Sequence, residues 1–131
     1  MLMFAPPWQV DLRGLVVGET LGEHTRRRLQ LGLEEADTPE GCDWWTDPKG
    51  DLSVVTTDGR VSLVNVRDTI VVNGYELLGA DRPTVTRVLG VADSVDEIAE
   101  ALSYRSGAWE LCVGFDEDCV TWVALSNDEV M

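Results

Sequence analysis

Two groups of carboxylates and one pair of adjacent tryptophans are the residues whose types and spacing could do chemistry. Asp43, Asp47 and Asp51 stand four apart around Trp44-Trp45, and Asp116, Glu117 and Asp118 stand in a row. Carboxylates so placed can hold a hard cation, exchange protons, or meet a basic surface. A calcium loop needs a glycine and a terminal glutamate at fixed positions. Neither group has them, and no metal site is expected. Proton exchange needs one carboxylate driven away from solvent, which spacing alone does not supply. His24 is the single histidine and falls in a charged helical stretch. No Gly-x-Ser-x-Gly frames a nucleophile, and Cys42, Cys112 and Cys119 do not have zinc spacing. The reading therefore expects no catalytic residue, no cofactor and no enzyme.

The third option, a basic surface, agrees with the overall charge. Ten Lys or Arg face 24 Asp or Glu, for a net charge of -14. Such a field repels nucleic-acid backbones and anionic membranes and draws in basic proteins. Arg26-Arg27-Arg28 is the one basic cluster, and its expected partners are Glu19, Glu23 and Glu34 or Glu35. Adjacent residues of a strand point to opposite faces, so either one of Trp44 and Trp45 enters the core and the other is left among aspartates, or both are half-buried and close the core. An aromatic anchor inside a charged rim is a feature of protein interfaces. The expected partner-binding residues are Asp43, Trp44, Trp45, Asp47, Asp51, Asp116, Glu117 and Asp118. The expected partner is a basic protein, with no direct nucleic acid and no membrane.

These residues must be positioned by a folded chain: 44% of residues are apolar and 26% charged, as in globular proteins. The chain reads as a single domain, residues 1–131, with an internal repeat, residues 8–67 and 68–126. Val10 to Gly14 matches Ile70 to Gly74 as a strand ending in glycine. A helix from Glu23 to Leu31 before Gly32 matches one from Pro83 to Leu89 before Gly90, the second with Asp81 as its N-cap and Pro83 in its first turn. The hairpin around Asp58-Gly59 matches Trp109 to Leu125 around Asp116-Glu117-Asp118, with Cys112 and Cys119 in its neighbouring strands. In the second of those strands Trp122 alternates with Val120 and Ala124. Asp-Gly between alternating residues is a strong hairpin signal. Between helix and hairpin, residues 34–43 read as a polar loop, whereas Ser94 to Leu102 reads as a helix with Ser94 and Glu97 as its capping box. The expected fold class is α+β: two tandem βαββ repeats forming an antiparallel sheet with helices packed on one face.

The string from Ile70 to Gly79, followed by Val85 to Gly90 and a hairpin, resembles small bacterial α+β proteins in which a strand and glycine turn lead to a helix ending Leu-Gly. Tandem copies resemble the β-lactamase-inhibitor-protein architecture, single copies resemble outer-membrane assembly lipoproteins, and the chain also resembles polymorphic-toxin immunity proteins. Met1 to Ala5 is too short for a signal sequence and is broken by Pro6-Pro7, and no run reaches transmembrane length, so the expected compartment is the cytoplasm. The resemblance then implies an immunity protein that neutralises a basic toxin by occluding its active site. Two alternatives stand beside it: a nucleic-acid-mimic inhibitor of a DNA- or RNA-binding protein, and a ligand-binding domain or enzyme using the cleft between repeats.

Overall fold

The structure, a computed structural model, describes residues 5–31 and 41–130. Two helices, α1 (Glu23–Arg27) and α2 (Arg82–Leu89), occur among them. The strands are β1 (Gln30–Leu31), β2 (Cys42–Thr46), β3 (Leu52–Thr57), β4 (Arg60–Val66), β5 (Val71–Val72), β6 (Tyr75–Glu76), β7 (Ser94–Asp96), β8 (Ala101–Ser106), β9 (Trp109–Asp116) and β10 (Cys119–Asn127). Asp58 (φ 52°) and Gly59 (φ 83°) both take the left-handed conformation that a two-residue hairpin turn needs, and they join β3 to β4. Strict alternation sends Leu52, Val54 and Thr56 to one face and leaves Ser53, Val55 and Thr57 half-exposed on the other.

Eight strands form one antiparallel sheet in the order β1-β2-β3-β4-β10-β9-β8-β7, and β5 and β6 form a separate small hairpin. The order is a palindrome: each half of the chain lays down a four-strand meander, and the two meet at β4 and β10. Asn65 pairs with Ala124 at the centre of that seam, flanked by Val64–Leu125 and Val66–Val123. Both meanders carry a bulge. Ser62 is the extra residue between Val61 and Leu63 on β4, and Thr121 the extra residue between Val120 and Trp122 on β10. Both are clasped in the same way. Gly18 N–H donates to Val61 C=O (2.7 Å) and Val61 N–H to Glu19 C=O (2.8 Å); Gly79 N–H donates to Val120 C=O (2.9 Å) and Val120 N–H to Ala80 C=O (2.9 Å).

The expected α+β layering is corrected: the protein is mostly β. The helices hold only five and eight residues; α1 buries none of them and α2 only Val85. The covered face of the sheet is packed instead by loop residues Leu12, Leu15, Val17 and Leu21, by Ile70, Val72 and Leu77 around the small hairpin, and by Val85. The helix expected from Glu23 to Leu31 stops at Arg27, since Gly22 offers no side-chain cap and no residue of α1 is buried. A helix of five residues has little stability of its own. Gln30 and Leu31 pair instead with Thr46 and Trp45. α2 keeps its expected signals: the Asp81 carboxylate accepts the Thr84 N–H (2.9 Å), and Gly90 at φ 87° ends the helix.

The helix expected from Ser94 to Leu102 is also corrected. Residues Ser94–Asp96 are strand β7, and Ala101 opens β8. Here the capping is done by Asp96, whose carboxylate accepts the N–H groups of Ile98 and Ala99 (both 3.0 Å). With Glu100 at φ 52°, this makes a turn between strands. The expected strand at Val10 reduces to one bridge to Val72. Of the carboxylates expected to hold the arginine cluster, Glu23 pairs with Arg27 (3.1 Å), while Glu34 and Glu35 lie outside the described residues.

Candidate functional site

The sheet is covered on one face only. Trp8 to Leu29 and Ile70 to Ala92 supply the core residues of that side, while on the other face Trp44, Thr46, Ser53, Val55, Leu63, Asn65, Ser103, Cys112 and Trp122 stay partly exposed and Ala101, Gly114, Ala124 and Ser126 are buried among them. Cross-strand register assembles this open face row by row. The central row runs Thr46–Ser53–Asn65–Ala124–Cys112–Ser103 across β2, β3, β4, β10, β9 and β8. All six side chains are small or short and uncharged at neutral pH. On one side of this floor runs Trp44–Val55–Leu63–Ser126–Glu110–Arg105, and on the other Trp122–Gly114–Ala101. Trp44 and Trp122 thus stand at diagonally opposed corners. They are separated by three strand steps, about 14 Å at the usual strand spacing, and by the width of the floor.

Three local features fix this face. The bulge at Thr121 re-aims the strand, so that Val120 goes to the core while Trp122 comes to the open side. Gly114 is bare, and the Trp122 indole lies across it. Ser103 Oγ donates to Glu110 (2.6 Å), and Arg105 holds both Glu110 (3.2 Å) and Asp128 (3.5 Å), so one cation bridges two carboxylates at this corner. Burial pushes the Cys112 thiol up, and the Glu110 carboxylate adds to it. Asn65 Oδ1, at the seam, is a buried side-chain polar atom without a hydrogen-bond partner among the described residues. An unpaired acceptor of this kind costs free energy until a donor reaches it.

The expected site residues are distributed differently. Trp45 faces the core and donates its Nε1–H to Thr56 Oγ1 (3.1 Å); Trp44 is the member of the pair on the open face. Asp43 is exposed on the Trp45 side of β2, opposite Thr56. The Asp47 carboxylate accepts the N–H groups of Asp51 (2.8 Å) and Leu52 (3.3 Å), which closes the β2–β3 turn. Asp118 pairs with Arg82 (3.3 Å), whose guanidinium lies 4.4 Å from the centre of the Phe115 ring. Asp116 and Glu117 are exposed at the β9–β10 turn. Strand direction brings this turn and the Asp47–Asp51 turn to the same end of the sheet, with Asp43 towards the other end. Cys112 lies opposite Ala124 and Cys119 opposite Asp116, in rows far enough apart to keep the thiols separate; all three cysteines are free.

No family profile, curated protein or solved structure matches the chain. The site therefore rests on its own geometry. Among the described residues, no group of three or more His, Cys, Asp or Glu could hold a metal ion, and no helix is long and apolar enough to cross a membrane. The carboxyls moved from their ordinary values, those of Asp68, Glu76 and Asp81, all move down. Each serves a turn or a cap. On the covered side a groove of about 720 Å³ is lined mainly by Trp8, Val10, Leu15, Val16 and Trp109, with Glu19 and Arg60 its charged members.

The floor of the open face was missed by the sequence reading, which weighed charged and aromatic residues. A signal was there: Ser53, Val55, Leu63, Asn65 and Cys112 are the alternate residues of the hairpin strands, opposite the buried valine set.

Proposed function

We propose that the protein binds another protein on the open face of its sheet, as an inhibitor of the immunity type seated on a basic toxin. The observation that carries this reading is the bare face itself: two half-exposed tryptophans bracket an uncharged floor of small side chains in a sheet whose other face is fully furnished. Aromatic anchors around a centre of small uncharged side chains, ringed by charge, match the anatomy of protein interfaces. The ring is acidic. Asp58 lies at one end, Asp116 and Glu117 at the other, and Asp96, Glu97 and Glu100 beyond the β7 side. With a net charge of -14, this favours a basic partner and fast, salt-sensitive association.

The test is recovery of the partner from the source cells with a tagged chain, followed by binding measurements on variants. Trp44→Ala and Trp122→Ala are each expected to weaken the complex at least about tenfold, and raising salt to slow association. A stoichiometric partner whose affinity ignores both tryptophans removes the open face from consideration. A small molecule in the groove beside Trp8, with no protein partner, would favour the ligand-binding alternative.

A further inference from the structure

Strand β7 is the last in the sheet and, among the described residues, pairs only with β8. Natural proteins protect such edges with shortness, charge, proline or a covering segment. This one is short and carries Asp96, yet it exposes large apolar side chains beside that charge. Ile98 is 98% exposed, Val91 87% and Val95 57%, the three highest values among the exposed large hydrophobic residues, and all lie within eight residues of one another. Val95 stands opposite Leu102, a core residue, so it lies on the covered side of the sheet at its edge. Asp96, Glu97 and Glu100 are exposed in the same segment.

We infer that the free edge of β7 accepts an extended, basic segment of a partner protein as an added strand. Backbone hydrogen bonding to the edge supplies the attachment, and alternate side chains supply the selectivity. An incoming strand continues the pleat of the sheet. Its apolar residues therefore fall beside Val95, over Val91 and Ile98, and its lysines or arginines fall on the side of Ser94 and Asp96. A second copy of this chain is the wrong occupant: it would set Asp96, Glu97 and Glu100 against the acids of an equally negative neighbour. This contact does not depend on the open face, although one partner can use both.

The probe is a short capped peptide alternating valine and lysine, added to the isotope-labelled protein and followed by NMR. The expected result is movement and exchange protection of the Ser94, Val95 and Asp96 amides. Binding should be lost when alternate peptide amides are N-methylated or when lysine is replaced by glutamate. Val95→Lys and Ile98→Lys, both at exposed positions and expected to fold as the parent does, should each weaken binding about tenfold. Three outcomes overturn the inference: shifts centred on the 116–118 turn or the open face, equal binding of the N-methylated peptide, or a parent protein that sediments as a dimer and becomes monomeric with Val95→Lys.

Discussion

Trp122 lies so closely across Gly114 that a Cβ placed there would sit 1.9 Å from the indole Cε2. The absent side chain on β9 is what allows the large one on β10 to lie against the sheet. Gly114→Ala should therefore force the indole out of place at a cost of about 1–3 kcal/mol. The check is urea unfolding together with tryptophan fluorescence. An unchanged midpoint and spectrum would mean that the indole does not rest on Gly114.

The adjacent tryptophans should separate in their effects. Trp45→Ala removes a core contact and leaves Thr56 Oγ1 without its donor, so it should cost about 2–3 kcal/mol, the lower range for large aromatic truncations since Trp45 is only partly buried. Trp44→Ala should cost less than about 1 kcal/mol and act on partner binding instead. Chemical denaturation of both variants decides the matter, and equal losses would contradict the assignment of the two faces.

The thiols should react in order of exposure. Cys119 is exposed. Cys112 is partly buried, and burial together with the neighbouring Glu110 raises its pKa, which lowers the fraction present as the reactive thiolate. A thiol reagent followed by mass mapping should therefore label Cys119 first and Cys112 last. With the partner bound, labelling of Cys112 should fall while that of Cys119 continues. Loss of labelling at Cys119 alone would place the partner on the wrong surface.

Acid should loosen the segment between β4 and α2. Burial works to raise the Asp68 and Glu76 pKa values, but hydrogen bonds outweigh it. Arg13 and the Thr69 N–H hold Asp68, and Thr69 Oγ1 with the Ile70 and Leu78 N–H groups hold Glu76, so both carboxyls titrate below their ordinary values of 3.8 and 4.5. A carboxyl lowered by folding stabilises the fold above its unfolded pKa, and that contribution disappears as pH falls through the folded pKa. The stability of the parent should therefore drop on the acid side of roughly pH 4.5. Glu76→Gln should be less stable than the parent at neutral pH and lose less on acidification. Parallel pH profiles for the two proteins would count against the role of Glu76.

The hairpins were legible because their signals are local. Asp58-Gly59 dictates its own turn, and β3 alternates without interruption. α2 was equally legible from Asp81, Pro83 and Gly90. The helix that did not form and the one that stopped short departed from expectation for a different reason. Ser94 to Leu102 has helical spacing and a capping box, yet Asp96 offers its backbone a competing turn and Leu102 belongs in the core as a strand residue. Glu23 to Leu31 has helical composition but buries nothing along α1. Local preference loses where tertiary pairing is available.

The open face was harder to read because it is a product of register. Trp122 and Val120 have the spacing of one face, and only the bulge at Thr121 separates them. Asp47 and Asp118 look like partner contacts in the sequence. In the fold, one closes a turn and the other holds Arg82. Asn65 carries no motif, and its place at the seam depends on a strand that begins more than fifty residues later.

That seam also sets an order of assembly. Within each meander every strand pairs with its neighbour in the chain, whereas β4 and β10 meet only after most of the chain has been made. Contacts distant in sequence are slow to form. The centre of the open face, half from Asn65 and half from Ala124, comes into being at that late step. A chain that has not yet reached β10, or that is cut between the two meanders, lacks the joined floor, so that face exists only where both halves are present together.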